Sequence, residues 1–204
     1  MDLLVRPATP GDPAVPLLFE SAKPYYTAYA GSEKRALTIL ESVFREPGHA
    51  ASFDCCTVAY VDSELVGVVA GFPVASGDRL SRRFIRLTLP KLPPWRWWGT
   101  FRHLRAAGNV APSPPADAYY VDALAVAPGW RRRGIAKRLL DVAHEEARAA
   151  GLDRLALDTG LHNTGARRLY EAYGFGEREI RTAPNARTAR ALGGPGFVGY
   201  LKAV

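Results

Sequence analysis

The sequence predicts one mixed α/β domain over residues 1–204, with a parallel crossover at the centre of its sheet and helices on both faces. Three observations carry this. Residues 119–126 (Tyr119 to Val126) are apolar on both faces, as in a strand buried from both sides. Residues from about Arg133 to Ala150 place Ile135, Leu139, Val142, Ala143 and Ala147 on one helical face, and Gly151 ends that helix. Residues 154–159 then form a second strand, and strand–helix–strand with this spacing is by default a right-handed parallel crossover.

The flanking elements follow in order. Leu3 to Arg6 is a short apolar strand stopped by Pro7. Helices are expected near residues 14–30 and 32–45, the second with Leu37, Leu40 and Phe44 at helical spacing. Thr57 to Val61 and Leu65 to Phe72, joined through Asp62-Ser63-Glu64, read as an antiparallel hairpin. Residues 76–116 interrupt the regular pattern as a helical insertion ahead of the central strand. Within it Leu80, Phe84 and Leu87 share one helical face, and Trp97, Phe101 and Leu104 mark a second short helix. A helix starting at Asn163 or Thr164 ends at Gly174, and strands near residues 177–181 and 197–202 close the chain.

Composition narrows the function. At 204 residues, 48% hydrophobic and 23% charged, the chain is ordinary for a globular domain. No apolar run approaches the ~18 residues that span a bilayer, and the start lacks a signal-peptide pattern, so a cytoplasmic protein is expected. The adjacent Cys55 and Cys56 suit neither a disulfide framework nor a zinc site and read as buried strand residues; no metal is expected. Eight cations and no acid fall in residues 79–105, so of the formal charge of +7 only −1 belongs to the rest of the chain. That localisation argues against a general nucleic-acid coat and for a local anionic partner or a solvated face.

The helix near 133–150 carries its charge backwards. Arg131, Arg132, Arg133, Lys137 and Arg138 crowd its leading end, and Glu145 and Glu146 lie late. Each cation at a helix N-terminus is disfavoured by roughly 0.3–1 kcal/mol. A bound anion would repair the mismatch, since free backbone N–H groups and arginines would converge on it. Gly134, read as part of the first turn, and the small Ala136 would let a ligand approach the backbone. The plainer alternative is a solvated arginine-rich helix start.

Arg131-Arg132-Arg133-Gly134-Ile135-Ala136 resembles the Gln/Arg-x-x-Gly-x-Gly/Ala signature of the GNAT superfamily of N-acetyltransferases. The flanking residues 124–130 and Leu139-Leu140 are similar to that segment too. About 30 residues on, Asn163 to Phe175 resembles the family's Asn-x-x-Ala-x-x-Leu-Tyr-Glu-x-x-Gly-Phe pattern. The close match covers residues 119–175, and residues 76–116 match no motif.

The resemblance implies a centrally splayed sheet and acetyl-CoA as cosubstrate. Arg131, Arg132, Arg133, Gly134, Ile135 and Ala136 would hold its pyrophosphate. Leu124, Ala125 and Val126 would pair main chain with the pantetheine arm, Asn163 would hydrogen-bond it, and Ala166 would lie beside it. Tyr170 would protonate the departing thiolate. From spacing alone, Ala166, Leu169, Tyr170 and Tyr173 share a helical face, and the plainer reading of Tyr170 is a core aromatic.

The base has no shared motif position. Asp122, in a strand expected to be buried on both faces, is one candidate, though such an acid could instead be structural. Tyr120, on the same side of the pleat, is another. His144 and His162 are weaker ones. The expected reaction is transfer of an acetyl group to a primary amine by direct attack in a ternary complex, with a backbone N–H near Val126 steadying the oxyanion. The insertion's Trp95, Trp97, Trp98 and Phe101, interleaved with arginines, would suit an anionic acceptor, an acidic membrane surface or nucleic acid. The plainer reading is a lid whose aromatics pack on the core. Rival functions are a non-catalytic acyl-CoA sensor and a nucleic-acid-binding protein using residues 79–105.

Overall fold

The computed structural model describes residues 2–204. In chain order it has β1 (Leu3–Pro7), α1 (Val15–Ser21), α2 (Lys23–Ala30), α3 (Glu33–Phe44), β2 (Cys56–Val61), β3 (Glu64–Pro73), α4 (Val74–Thr88), α5 (Pro94–Val110), β4 (Ala118–Val126), α6 (Ile135–Ala149), β5 (Arg154–Gly160), α7 (Thr164–Tyr173), β6 (Gly176–Thr182), α8 (Ala186–Leu192) and β7 (Gly196–Ala203). The strands form one sheet in the order β1-β2-β3-β4-β5-β7-β6. All neighbours are antiparallel except β4 and β5, the two strands joined through α6. The expected mixed sheet with a central parallel pair is what the chain adopts.

Local chemistry sets the boundaries. The stretch expected as one helix over 14–30 is two, because Pro24 has no N–H to extend α1 and instead sits in the first turn of α2. Ser32 caps α3, its side chain accepting from the Arg35 N–H at 3.3 Å. In the β2–β3 hairpin Asp62 and Ser63 have φ of 47° and 72°, the left-handed pair that a two-residue turn of matching twist requires. Cys56 is buried at the start of β2, whereas Cys55 ends a single helical turn and is only half-buried, so the reading of both as buried strand residues holds for one.

Two cores flank the sheet. One lies under α1, α2 and α3 and includes Leu18, Phe19, Tyr29, Leu40 and Phe44; the other lies under α6 and α7 and includes Ile135, Leu139, Leu140, Leu155 and Tyr200. Leu140, not Val142, joins Ile135, Leu139, Ala143 and Ala147 on the buried face of α6. That helix packs closely because β3 has Gly67 beneath it; a Cβ there would come within 3.0 Å of Leu139.

The excursion between β3 and β4 is helical, as expected, but its aromatic side chains face the other way. α5 buries Thr100, His103 and Val110 and leaves Trp95 82% and Trp98 73% exposed. A lid with its aromatics packed on the core does not describe it. The short helix α8 has no counterpart in the sequence expectations, although Asn185 caps its start and Gly193, at φ 82°, its end.

Candidate active site

A gap opens in the middle of the sheet. β4 and β5 pair only from Ala118↔Arg154 to Val121↔Leu157. Past that point β5 continues along β7 to Gly160, while β4 continues along β3 to Val126. The first residue of β4 without a β5 partner is Asp122. It is also the extra residue of a β-bulge, since Ala123 opposes Ala70 and Val121 opposes Gly71. Bulge and strand separation therefore coincide at one carboxylate.

Backbone groups line the β4 wall. The Ala127 N–H bonds to Val66 O on β3 at 2.9 Å. Antiparallel alternation then turns the N–H groups of Leu124 and Val126 away from β3 and into the gap, where no strand meets them. Val126 O is taken by Arg131 Nε at 3.0 Å, which fastens the following loop to the strand end.

At the mouth of the gap stands the start of α6, two residues later than expected. Arg132 (φ 63°) and Gly134 (φ 83°) both adopt left-handed backbone, so the helix proper begins at Ile135. Gly134 is thus the residue before the helix, kept glycine by its φ and not a weak point inside the first turn. A Cβ there would meet nothing within 4 Å, so the space above it is open. The first bond of the helix runs from Arg138 N–H to Gly134 O, leaving the N–H groups of Ile135, Ala136 and Lys137 free. No side chain caps this end and no acid lies in the first turn. Arg131, Arg132 and Arg133 are exposed, with the Arg133 guanidinium 4.9 Å from the centre of the Trp130 ring. The residues present fit a diphosphate.

Side chains from several elements occupy the other side. Asp122 is crowded at the floor of the gap yet exposed through its opening, unlike the fully enclosed position expected for it, because β5 leaves its flank uncovered. It has no hydrogen-bonding or ionic partner among the described residues. Burial, and then the charge of Asp158, push its carboxyl up to about 7. Tyr120 donates to Asp158 Oδ2 at 2.5 Å. Burial, followed by the charge of Asp158, raises that phenol far above its usual range. Burial also raises Asp158, against the opposing hydrogen bond from Tyr120. Tyr170 is buried on α7, edge-on to Phe175 and Tyr200 at 5.9 and 5.8 Å, and its hydroxyl has no hydrogen-bond partner among the described residues. Burial, then Asp158, raises its pKa. Tyr25 and Tyr26 of α2 are raised by burial and next by the charge of Asp122.

The sequence matches the acetyltransferase (GNAT) family over residues 16–175. The chain belongs to the GNAT acetyltransferase family. It is 32% identical over 72 residues to the uncharacterized N-acetyltransferase YycN of Bacillus subtilis, covering 35% of this chain and 46% of that protein. It is 38% identical over 56 residues to N-alpha-acetyltransferase 30 of Saccharomyces cerevisiae, covering 28% and 32%. The chain thus spans less than half the length of these curated relatives. Among solved structures, one described as an acetyltransferase superposes with a TM-score of 0.72 at 22% identity, covering 98% of this chain and 99% of that one. This last likeness concerns the fold.

Within this GNAT domain the sequence-predicted positions fall into two groups around the gap. Leu124, Ala125, Val126 and the loop 131–136 line one wall and its mouth. Asp122, Tyr120 and Tyr170 lie on the side of Asp158. Asn163 caps α7, accepting from the Ala166 N–H at 3.2 Å and donating to Thr159 Oγ1 at 3.3 Å. His144 sits on α6 away from these groups, with Nδ1 buried and unpartnered, and His162 lies against Gly160 and Gly194. Asp158 was not foreseen. Its one sequence signal is an acid ending the apolar run Leu155-Ala156-Leu157; its partnership with Tyr120 follows from the β4–β5 register, which the sequence does not display.

Proposed function

We propose that this GNAT member is an N-acetyltransferase that moves an acetyl group from acetyl-CoA to a primary amine by direct attack in a ternary complex. The observation supporting this most strongly is the gap at Asp122, which sets unpaired backbone donors on one side of a single opening and a free carboxylate on the other. The amides of Ile135, Ala136 and Lys137, with Arg131, Arg132 and Arg133, hold the diphosphate at the mouth. The Leu124 and Val126 N–H groups take the extended arm as an additional half-strand, as peptides add to a sheet edge. Asn163 and Ala166 border the same passage from α7.

Acetyl-CoA supplies an activated thioester. Asp122 accepts the proton of the incoming ammonium, directly or through water, and a carboxyl near 7 is well matched to that task at neutral pH. The amine nitrogen bonds to the carbonyl carbon as the carbon–sulfur bond breaks. A backbone N–H of β4 near Val126, one left unpaired by the arm, donates to the oxygen that gains negative charge. Tyr170, kept protonated by its surroundings, delivers its proton to the leaving sulfur. Tyr120 is a positioning residue: its proton is committed to Asp158, so it holds that carboxylate beside Asp122.

An acceptor screen that follows free thiol released from acetyl-CoA tests this. Thiol release that depends on an added primary amine, with one acetyl amide formed per thiol, is expected. Tight acetyl-CoA binding with no turnover across a panel of polyamines, amino acids, peptide N-termini and aminoglycosides would leave an acyl-CoA sensor instead.

A further inference from the structure

We propose that the outward face of α5 is a docking surface for anionic lipid bilayers. Trp95, Trp98, Arg102 and Arg105 follow one another at three- and four-residue spacing, with Phe101 beside them, so they share the face that points away from the domain. Trp95 is 82%, Trp98 73%, Phe101 47% and Trp97 39% exposed, and these four are most of the large exposed hydrophobic side chains among the described residues. The inward face is spent on packing: Thr100 bonds to Tyr29 O and Arg96 to Ala28 O, tying α5 to α2. The aromatics are therefore not waiting to be covered by their own domain.

Charge selects the occupant. Arg102 and Arg105 are exposed on the same face as the rings, exposed Lys91 precedes the helix, and residues 79–116 contain no acid. A second copy of this chain would bring like charges together across a two-fold axis, which disfavours a homodimer here. Single-stranded nucleic acid calls for a basic groove that tracks its backbone, whereas α5 offers a convex helix side. Protruding indoles interleaved with guanidiniums match a helix lying in the plane of an anionic membrane: the rings enter the headgroup layer and the arginines stay with the phosphates. Among the described residues no helix is long and apolar enough to cross a membrane, so this would be surface attachment.

The full-length chain should co-sediment with vesicles of phosphatidylcholine and phosphatidylglycerol but not with pure phosphatidylcholine. Three of the four tryptophans lie in α5, so binding should shift tryptophan emission to the blue. Arg102→Glu/Arg105→Glu should lower partitioning by more than about tenfold, each basic side chain at an anionic leaflet being worth roughly fivefold. Trp95→Ala/Trp98→Ala should lower it comparably and abolish most of the shift. Both pairs are exposed, and unchanged circular dichroism would show that the fold survives. No binding to anionic vesicles at low salt, or undiminished binding by either variant, overturns the proposal. So does equal or tighter binding to a single-stranded oligonucleotide with the same spectral shift, or self-association in light scattering that the tryptophan variant removes.

Discussion

The two walls of the gap are built on different principles. On the side of α6, the groups that can hold a ligand are backbone amides: Leu124 and Val126 on β4, and Ile135, Ala136 and Lys137 at the helix start. Elsewhere around the gap they are side chains delivered by separate elements, Asp122 and Tyr120 by β4, Asp158 by β5 and Tyr170 by α7. A wall of backbone is insensitive to most substitutions and vulnerable where conformation itself is changed. A wall of side chains can be dismantled one atom at a time. On the proposed function, grip and chemistry would divide along this line, and the division can be tested.

The backbone wall should answer in affinity. Gly134→Val places a β-branched side chain at φ 83°, in space that a diphosphate would use. The left-handed conformation costs on the order of 1–2 kcal/mol, a loss of several degrees in Tm that leaves the domain folded. Acetyl-CoA affinity by calorimetry should fall about 100-fold or more, corresponding to roughly 3 kcal/mol. Near-normal affinity would show that this loop does not hold the cosubstrate.

The side-chain wall should answer in kcat instead. Asp122→Asn removes the base and should lower kcat by about 10²–10⁴, leaving acetyl-CoA affinity within about twofold. Tyr170→Phe keeps the ring packed against Phe175 and Tyr200 and removes only a hydroxyl that has no hydrogen-bond partner among the described residues. It should lower kcat by about 10–100-fold, more than it raises the KM for acetyl-CoA. A Phe variant with full turnover would make Tyr170 a core aromatic and nothing more.

The same division explains what could be read in advance. The backbone wall is encoded locally: reversed charge at Arg131–Arg133, a glycine at 134 and small Ala136 lie in one short segment, and the motif resemblance rests on them. Even so, the helix starts two residues later than its periodicity suggests, because left-handed φ at Arg132 and Gly134 is a property of the loop that no periodicity reports. The opposite wall is encoded by register. That Asp122 is a bulge, that β5 leaves it uncovered, and that Tyr120 reaches Asp158 all depend on which strands pair and where pairing stops. Burial of Asp122 on both faces was inferred from apolar neighbours, and strand separation overrides that pattern. α5 is the opposite case: a lid with its aromatics on the core is only the plainer of the readings that the sequence leaves open, because hydrophobicity does not say which way a helix turns.

The finest distinction concerns Asp158, which on the proposed mechanism would act through Asp122 without touching the reacting atoms. The charge of Asp158 contributes to holding Asp122 near 7, after burial. The basic form of Asp122 therefore accumulates as pH rises through that value, and kcat/KM should climb across the same range. Asp158→Asn withdraws the negative charge, so the climb should move to lower pH; a purely structural role would lower the plateau without moving the midpoint. Stability supplies a check that needs no substrate. A folded-state carboxyl raised above its unfolded value of 3.8 binds its proton more tightly when folded, so its contribution to stability is fully present below pH 3.8 and is lost as pH rises to about 7. Asp122→Asn should accordingly raise Tm relative to the parent at pH 8 and make little difference at pH 4. The reverse order would mean that Asp122 is stabilised as a carboxylate, and it could not then be a base tuned by its neighbour.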